Sequence, residues 1–440
     1  MTNVHPLTLA EDILENGQGD RPTNRITEEL SELADGVSLI ESFSHVVTLD
    51  TQDWLVCFYT SGRRSGKAVV SALRGWSSKP VHSIVYTHGH VDHVGGSSVF
   101  AADAADRGHP APRVLGHRAL NPRLDRYDYT NGYNLAINMR QFGGAPKGEG
   151  MQGSFVPDGT LRVDTDYESV MIDQVGGVTF EHNHAMGETD DHTWTWVPEY
   201  RMITAGDLFC WMFPNCGNPQ KVQRYPLEWA QALRAMAAKE PDLIVPAHGL
   251  PIAGRDRIVS NLDVVASALE QLVADVVDAM NTGATLDDIL HTVRVDPAYA
   301  DSVFLRPQYD EPEFVIHNIW RLYGGWWDGH PARLKPAPDA AIAAEVAGLA
   351  GGHQPLVDRA VALAAAGEFR LACELIEWAV RVAPDDREVH EARIEIYQQR
   401  RRIETSLMAK GVFQTEVSNS KLALGQQAEA RFRINIVTDD

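Results

Sequence analysis

The stretch Tyr86 to Gly96, YTHGHVDHVGG, places His88, His90, Asp92 and His93 within six consecutive positions and follows them with two glycines. Neutral imidazole is the commonest transition-metal ligand, and zinc accepts histidine nitrogen together with Asp or Glu oxygen. Side chains two apart on an extended segment point the same way, so His88 and His90 can grip one ion. Asp92 and His93, adjacent at a turn into the next helix, can serve a second ion nearby. Gly95 and Gly96 let the backbone pass close to the metals without side-chain obstruction. Surface histidines are the bland alternative. A His-x-His-x-Asp-His run directly after an apolar strand is too specific a pattern for it.

The elements that must hold this cluster read as a layered α/β domain. From Gly36 to Thr60 short apolar runs are broken by Ser, Asp and Thr, the look of consecutive strands. Ser65 to Trp76 has helical spacing, and Val81 to Thr87 is again a strand. Strand, helix, strand points to an α/β layer structure, with the histidine cluster in the loop leaving a buried strand. Further strands are expected around Val170–His184, His192–Tyr200 and Arg201–Phe209, then a helix from about Leu227 to Ala238. From Ile258 to Met280 the apolar spacing is helical, and helix is expected to dominate to about Met408. Ala364 to Asp386 looks like one tetratricopeptide-type hairpin. A solenoid needs about three repeats, so the hairpin is read as part of a compact helical domain. The tail from about Gly411 is polar, and its ARFRINIV segment reads as a terminal strand or an ordered arm.

At 440 residues with 44% apolar content, the chain has room for two or three packed domains. No run of roughly 18 apolar residues occurs, so no membrane span is expected. The N-terminus has neither a basic start nor an apolar core, and a cytoplasmic location is expected. Cys57, Cys210, Cys216 and Cys373 are too irregularly spaced for a disulfide framework or a zinc ribbon. A net charge of −21 opposes binding to a long polyanion, so no nucleic-acid partner is expected. A small anion held at a metal remains compatible, because a local dication outweighs a diffuse field.

The motif resembles that of the metallo-β-lactamase-fold hydrolase superfamily, and the later stretches GETDDHTW (Gly187 to Trp194), AGDLF (Ala205 to Phe209) and PAHGLPIAG (Pro246 to Gly254) follow in the family's order. The resemblance implies an αβ/βα four-layer sandwich over roughly residues 1–257. It also implies that Asp207 bridges two ions and that His248 completes the second site. Most of the superfamily has Gly-His-Thr where this chain has Gly187-Glu188-Thr189, so a carboxylate stands in for an imidazole at the first metal. His184 and His192 are rival ligands for that place. Glutamate here, 19 positions before Asp207, is similar to the alkylsulfatase branch, whose own bridging residue is usually Glu rather than Asp. The segment NIWRLYGGWWDGHPARLKP, Asn318 to Pro336, resembles the signature of the alkylsulfatase dimerisation domain, with His330 in place of Asn. An all-α dimerisation domain over 258–410, a tail over 411–440 and a homodimer are therefore expected.

The resemblance implies a binuclear zinc hydrolase that cleaves an organic, alkyl sulfate ester with a metal-activated water. The metal ligands would be His88, His90, Asp92, His93, Glu188, Asp207 and His248, with Asp92 and Asp207 as the catalytic carboxylates. The family's sulfate-binding arginine would fall near Pro219 or Gln220. Lys221 and Arg224 are the neighbouring cations, and Asn134 and Arg140 are further candidate substrate contacts. An ordinary salt bridge is the alternative for Arg140. The run LFCWMFPN after Asp207 reads either as an apolar slot for an alkyl or ring substituent or as core. Rival functions keep the metals on a lactone, β-lactam, thioester or phosphodiester substrate, or leave a scaffold protein with a vestigial site.

Overall fold

A computed structural model describes residues 4–144, 153–299 and 301–427, and they form two compact units. Among the described residues the first unit comprises 4–131, 154–299 and 301–325, and the second 132–144, 153 and 326–427.

Two sheets face each other in the first unit. One has strands β1 (Leu30–Ala34), β2 (Val37–Ile40), β3 (Val46–Asp50), β4 (Leu55–Phe58), β5 (Val81–Val85), β6 (Arg113–His117) and β7 (Thr165–Tyr167), neighbouring in that order. The other runs β13-β12-β11-β10-β9-β8 across the sheet. Its strands are β8 (Val170–Val175), β9 (Val178–Ala185), β10 (His192–Val197), β11 (Met202–Gly206), β12 (Leu243–Pro246) and β13 (Ile252–Ala253). β4 through β7 pair in parallel, as do β11 and β12, while β8–β9, β9–β10 and β10–β11 are antiparallel.

Strand periodicity creates the layers. On β4, Val56 and Phe58 face Phe180, Met202 and Val245 of the opposite sheet, whereas Leu55 and Cys57 turn outward to Val69, Leu73 and Phe100 of the covering helices. On the other sheet Trp194, Trp196, Ile203 and Ile244 point away from the centre, to meet Trp229, Leu233, Leu262 and Leu269. Helices thus cover both outer faces, giving the αβ/βα four-layer sandwich that the resemblance implies. The 27-residue helix Arg255–Asn281 buries Ile258, Leu262, Val265, Leu269, Leu272 and Val276, a stripe at helical spacing. Because that stripe and the helix Pro312–Gly324 share one core with β10 and β11, the first unit extends to Gly325, beyond the expected boundary at Arg257.

The second unit is all helical. The span Ala364–Asp386, expected to be a whole hairpin, holds a single complete helix, Phe369–Val382; it pairs with Gln354–Ala365 before it, and Arg387–Ile403 packs against them around Ile376, Val389, Ile396 and Tyr397. The stretch from Gly411, expected to be a separate polar tail, is helical as far as Ala423, because a helix begun at Leu407 and capped by the Ser406 hydroxyl runs through it. Its polar residues Gln414, Thr415, Ser418 and Ser420 are buried. Thr415 Oγ1 lies 3.1 Å from each of the carbonyls of Arg140 and Gly144, which share its single proton, and Ser418 Oγ donates to Gly143 O at 3.2 Å. The ARFRINIV segment lies outside the described residues. Among the described residues no helix is long and apolar enough to cross a membrane.

Candidate metal centre

Each of the seven expected ligands stands where a strand of the first unit gives way to a loop. His88, His90, Asp92 and His93 follow β5, Glu188 lies in the turn from β9 to β10, Asp207 follows β11 and His248 follows β12. Gly96 permits the tight return after the cluster, since a Cβ there would lie 2.1 Å from Thr60 O.

Two groups of donors result, each with one atom per residue within 4.8 Å of the others. One comprises His88, His90, Glu188 and Asp207, and the other Asp92, His93 and His248. Asp207 Oδ2 joins them, at 3.7 Å from His88 Nε2, 3.3 Å from His93 Nε2 and 3.7 Å from His248 Nε2. Elsewhere His90 Nδ1 is 3.7 Å from Glu188 Oε1, and Asp92 Oδ2 is 3.4 Å from His93 Nε2 and 3.1 Å from His248 Nε2. Hydroxyls turn two of the rings: Thr87 Oγ1 lies 3.1 Å from His88 Nδ1, and Ser44 Oγ 2.9 Å from His93 Nδ1.

The residues fit cations on chemical grounds. His93 Nε2 and Asp207 Oδ1 are buried and have no hydrogen-bond partner among the described residues, an arrangement folded proteins rarely leave without purpose. Burial holds His88 and His90 well below the ordinary imidazole range, His93 adding to the effect at the first and Arg224 at the second, so both are neutral and able to ligate. Three carboxylates crowd the same space. Burial pushes the Glu188 carboxyl up, with Arg224 opposing and Asp207 adding, while neighbouring histidines hold Asp92 and Asp207 far below the carboxylate range against their burial. Burial also opposes charge on His248, yet Asp207, Asp92 and Glu188 outweigh it and push this imidazole up to about 9. A proton on His248 thus does part of what a cation would do there.

The rival ligands fall outside both groups. His192 stacks on the His88 ring at 4.6 Å and accepts from Asp207 N at 3.2 Å, whereas His184 stacks on His117 at 3.7 Å and bonds Asp190 O at 2.9 Å. Of the substrate candidates, Arg224 is buried and donates to Glu188 Oε1 at 2.6 Å and to the Asn215 carbonyl. Lys221 sits 5.8 Å from the centroid of the Phe155 ring, and burial, with Arg224 adding, pushes its ammonium down to about 8. Asn134 and Arg140 lie on the helix Asn131–Gln141, within the second unit. The aromatic residues of LFCWMFPN belong to the core: Phe209, Trp211 and Phe213 are buried against Phe304, and Trp211 Nε1 donates to Leu250 O at 2.7 Å.

Several neighbours went unread in the sequence. Asn215 Nδ2 donates to Glu188 Oε1 at 2.5 Å, and the loop carrying it is fastened from behind. Asp310 Oδ2 accepts from Gly217 N at 2.6 Å and from Asn218 N at 3.1 Å, and Asn318 Nδ2 donates to Arg224 O at 2.8 Å. Tyr309 is close enough for Glu188 to add to the rise that burial imposes on its hydroxyl. Behind the histidines, Asp191 accepts from Gly89 N and from Arg123. Single Asn, Asp and Tyr residues carry no spacing signal, so only the folded chain reveals them.

A model of the metallo-beta-lactamase superfamily matches residues 60–248, and a model described as alkyl sulfatase dimerisation matches residues 285–421. A linear primary-alkylsulfatase of a Pseudomonas species is 26% identical over 342 residues, which are 73% of this chain and 63% of that protein. An alkyl/aryl-sulfatase of Saccharomyces cerevisiae is 23% identical over 334 residues, 72% of this chain and 51% of that one. The chain therefore spans less than two thirds of the length of these two relatives. The solved structure of a stereoselective inverting sec-alkylsulfatase from Pseudomonas sp. shares the fold, with a TM-score of 0.80 at 18% identity, covering 93% of this chain and 67% of that one. The chain thus carries, in sequence order, a metallo-beta-lactamase segment and an alkyl sulfatase dimerisation segment, and alkylsulfatases are among the proteins it is similar to.

Proposed function

We propose that the protein hydrolyses organic sulfate esters at a centre holding two zinc ions per chain, and that it works as a homodimer. The observation that carries this reading is the single oxygen Asp207 Oδ2 within 3.7 Å of His88, His93 and His248, through which two donor groups share an atom. His88, His90, Glu188 and Asp207 would hold one ion, and Asp92, His93, His248 and Asp207 the other. When bound, zinc supplies Lewis acidity and brings the pKa of water toward about 7. The hydroxyls of Thr87 and Ser44 occupy Nδ1 of His88 and His93 and leave each Nε2 turned toward Asp207. Asp92 Oδ2, held ionised at neutral pH by His93 and His248 against its burial, would serve as the anionic ligand of the second ion. Burial pushes the nearby Cys210 thiol far up, so it stays protonated and is no nucleophile.

Arg224 is committed to Glu188 and the Asn215 carbonyl, which leaves Lys221 as the cation for the sulfate group. The names of the curated relatives and the matched dimerisation model support the substrate class and the dimer. Four unpaired cysteines fit a reducing cytoplasm. The commitment of Arg224 is also the observation favouring the second reading, in which the same centre cleaves a lactone, β-lactam, thioester or phosphodiester. Sulfate release from medium-chain alkyl sulfates tests the proposal. The expected result is release that stops on chelation, returns with zinc and is undetectable in Asp92→Ala. Turnover of an acyl or phosphodiester substrate without any sulfate release would support the second reading instead.

A further inference from the structure

We propose that Asp191 and Arg123 are positioning residues that set the His88, His90 and Glu188 half of the centre and leave the other half alone; this rests on the metal-centre reading above. Gly89, the residue between His88 and His90, donates its N–H to Asp191 Oδ2 at 2.9 Å. The other carboxylate oxygen accepts from Arg123 Nε at 2.8 Å, and Arg123 also donates to Asp190. Asp191 is 0% exposed and Arg123 4% exposed. Since Asp191 lies in the same turn as Glu188, one carboxylate ties together two ligand-bearing segments 102 positions apart in sequence.

The approach is close enough to exclude a side chain between the two histidines. A Cβ on Gly89 would lie 2.8 Å from Arg123 Cδ and 3.2 Å from Asp191 Oδ2. A fully buried ion pair is a weak source of stability, because desolvation of both charges offsets their attraction. Its placement against the backbone of a ligand pair gives it a different use, the fixing of ligand geometry by groups outside the ligand set. The second donor group is fastened separately. His93 is held by Ser44 Oγ, and the loop of His248 is held where His45 N donates to Ala247 O at 2.8 Å. Loss of Asp191 should therefore weaken one ion and spare the other.

The test is a chelator titration of zinc-loaded full-length protein, with metal per chain measured by plasma mass spectrometry at each step. Wild type is expected to give up two ions. In Asp191→Ala one of them is expected to leave at roughly tenfold to a hundredfold lower chelator concentration, with the other unchanged. Asp191→Asn, which keeps an acceptor for Gly89 N–H, is expected to recover part of the difference. A role confined to general stability would lower the melting temperature of the metal-free protein without separating the two ions. Should Asp191→Ala fail to fold, Asp191→Asn and Arg123→Met carry the same comparison. Wild-type chelator resistance in the folded variants, or equal weakening of both ions, overturns the proposal. A wild-type protein that binds no metal would instead overturn the reading of the centre itself, which keeps the two failures apart.

Discussion

At the residue scale burial keeps the His88 and His90 imidazoles neutral, whereas Asp92 and Asp207 stay charged against it and help hold a proton on His248. His182, away from the ligands, shows the burial effect by itself. It is buried on β9 beside Phe180, bonds Thr195 Oγ1 at 2.8 Å, and burial pushes it from 6.5 down to about 4. The unfolded chain takes up a proton near 6.5 while the folded one resists until about 4, so the stability present above pH 6.5 is lost as pH falls through that window. The expected loss is about 2–3 kcal/mol between pH 7 and 4.5. Urea melts at both pH values should show wild type losing that much more than His182→Gln, and equal losses would contradict the assignment. The sequence displayed His88 to His93 because they are contiguous. Glu188 stood out only through resemblance, since His184 and His192 flank it at equal distance in the chain. Ser44, Asn215 and Asp191 were illegible, being common residue types that meet their partners only across the fold.

At the element scale β2 to β5, β8 to β11 and the long helix announced themselves by periodicity, whereas β1, β6 and β7 did not, and the ligands after β5, β11 and β12 fell at the C-terminal ends of parallel-paired strands. The helix Leu407–Ala423 was missed beyond Met408 for a physical reason. Its polar face is satisfied by carbonyls of the 140–144 segment, and a hydrophobicity pattern cannot distinguish that from a solvated face. The loop from Asp207 to Tyr225 was equally opaque. It is seated against the start of the helix Pro312–Gly324, where a Cβ on Gly217 would lie 2.4 Å from Val315 N and 2.5 Å from Phe314 C. Gly217→Ala should lift this loop, and with it Asn215 and Arg224, off that support. A loss in kcat/KM on the order of 10²-fold is expected, as for an ångström-scale displacement of positioning groups. Steady-state kinetics on the folded variant checks it, and an unchanged kcat/KM would show that the loop does not position the site.

At the scale of the whole molecule, two groups of candidate metal ligands lie inside a chain of net charge −21. The field discourages polyanions, while a small anion beside the candidate ligands would meet the local positive charge of Arg224 and Lys221. The second unit exposes Trp326 at 72% and Leu349 at 90%, large apolar side chains within the stretch matched by the dimerisation model. A homodimer should cover such residues. Light scattering coupled to size exclusion is expected to give twice the 48.6 kDa chain mass, and a single-chain mass at micromolar concentration would contradict the dimer.

Crystals grown from protein purified without chelators, measured on either side of the zinc absorption edge, would test the shared centre most directly. Two anomalous peaks are expected, one among His88, His90, Glu188 and Asp207 and one among Asp92, His93, His248 and Asp207. A map with no peak at these side chains, or with a single peak that leaves Asp207 unshared, would contradict the account.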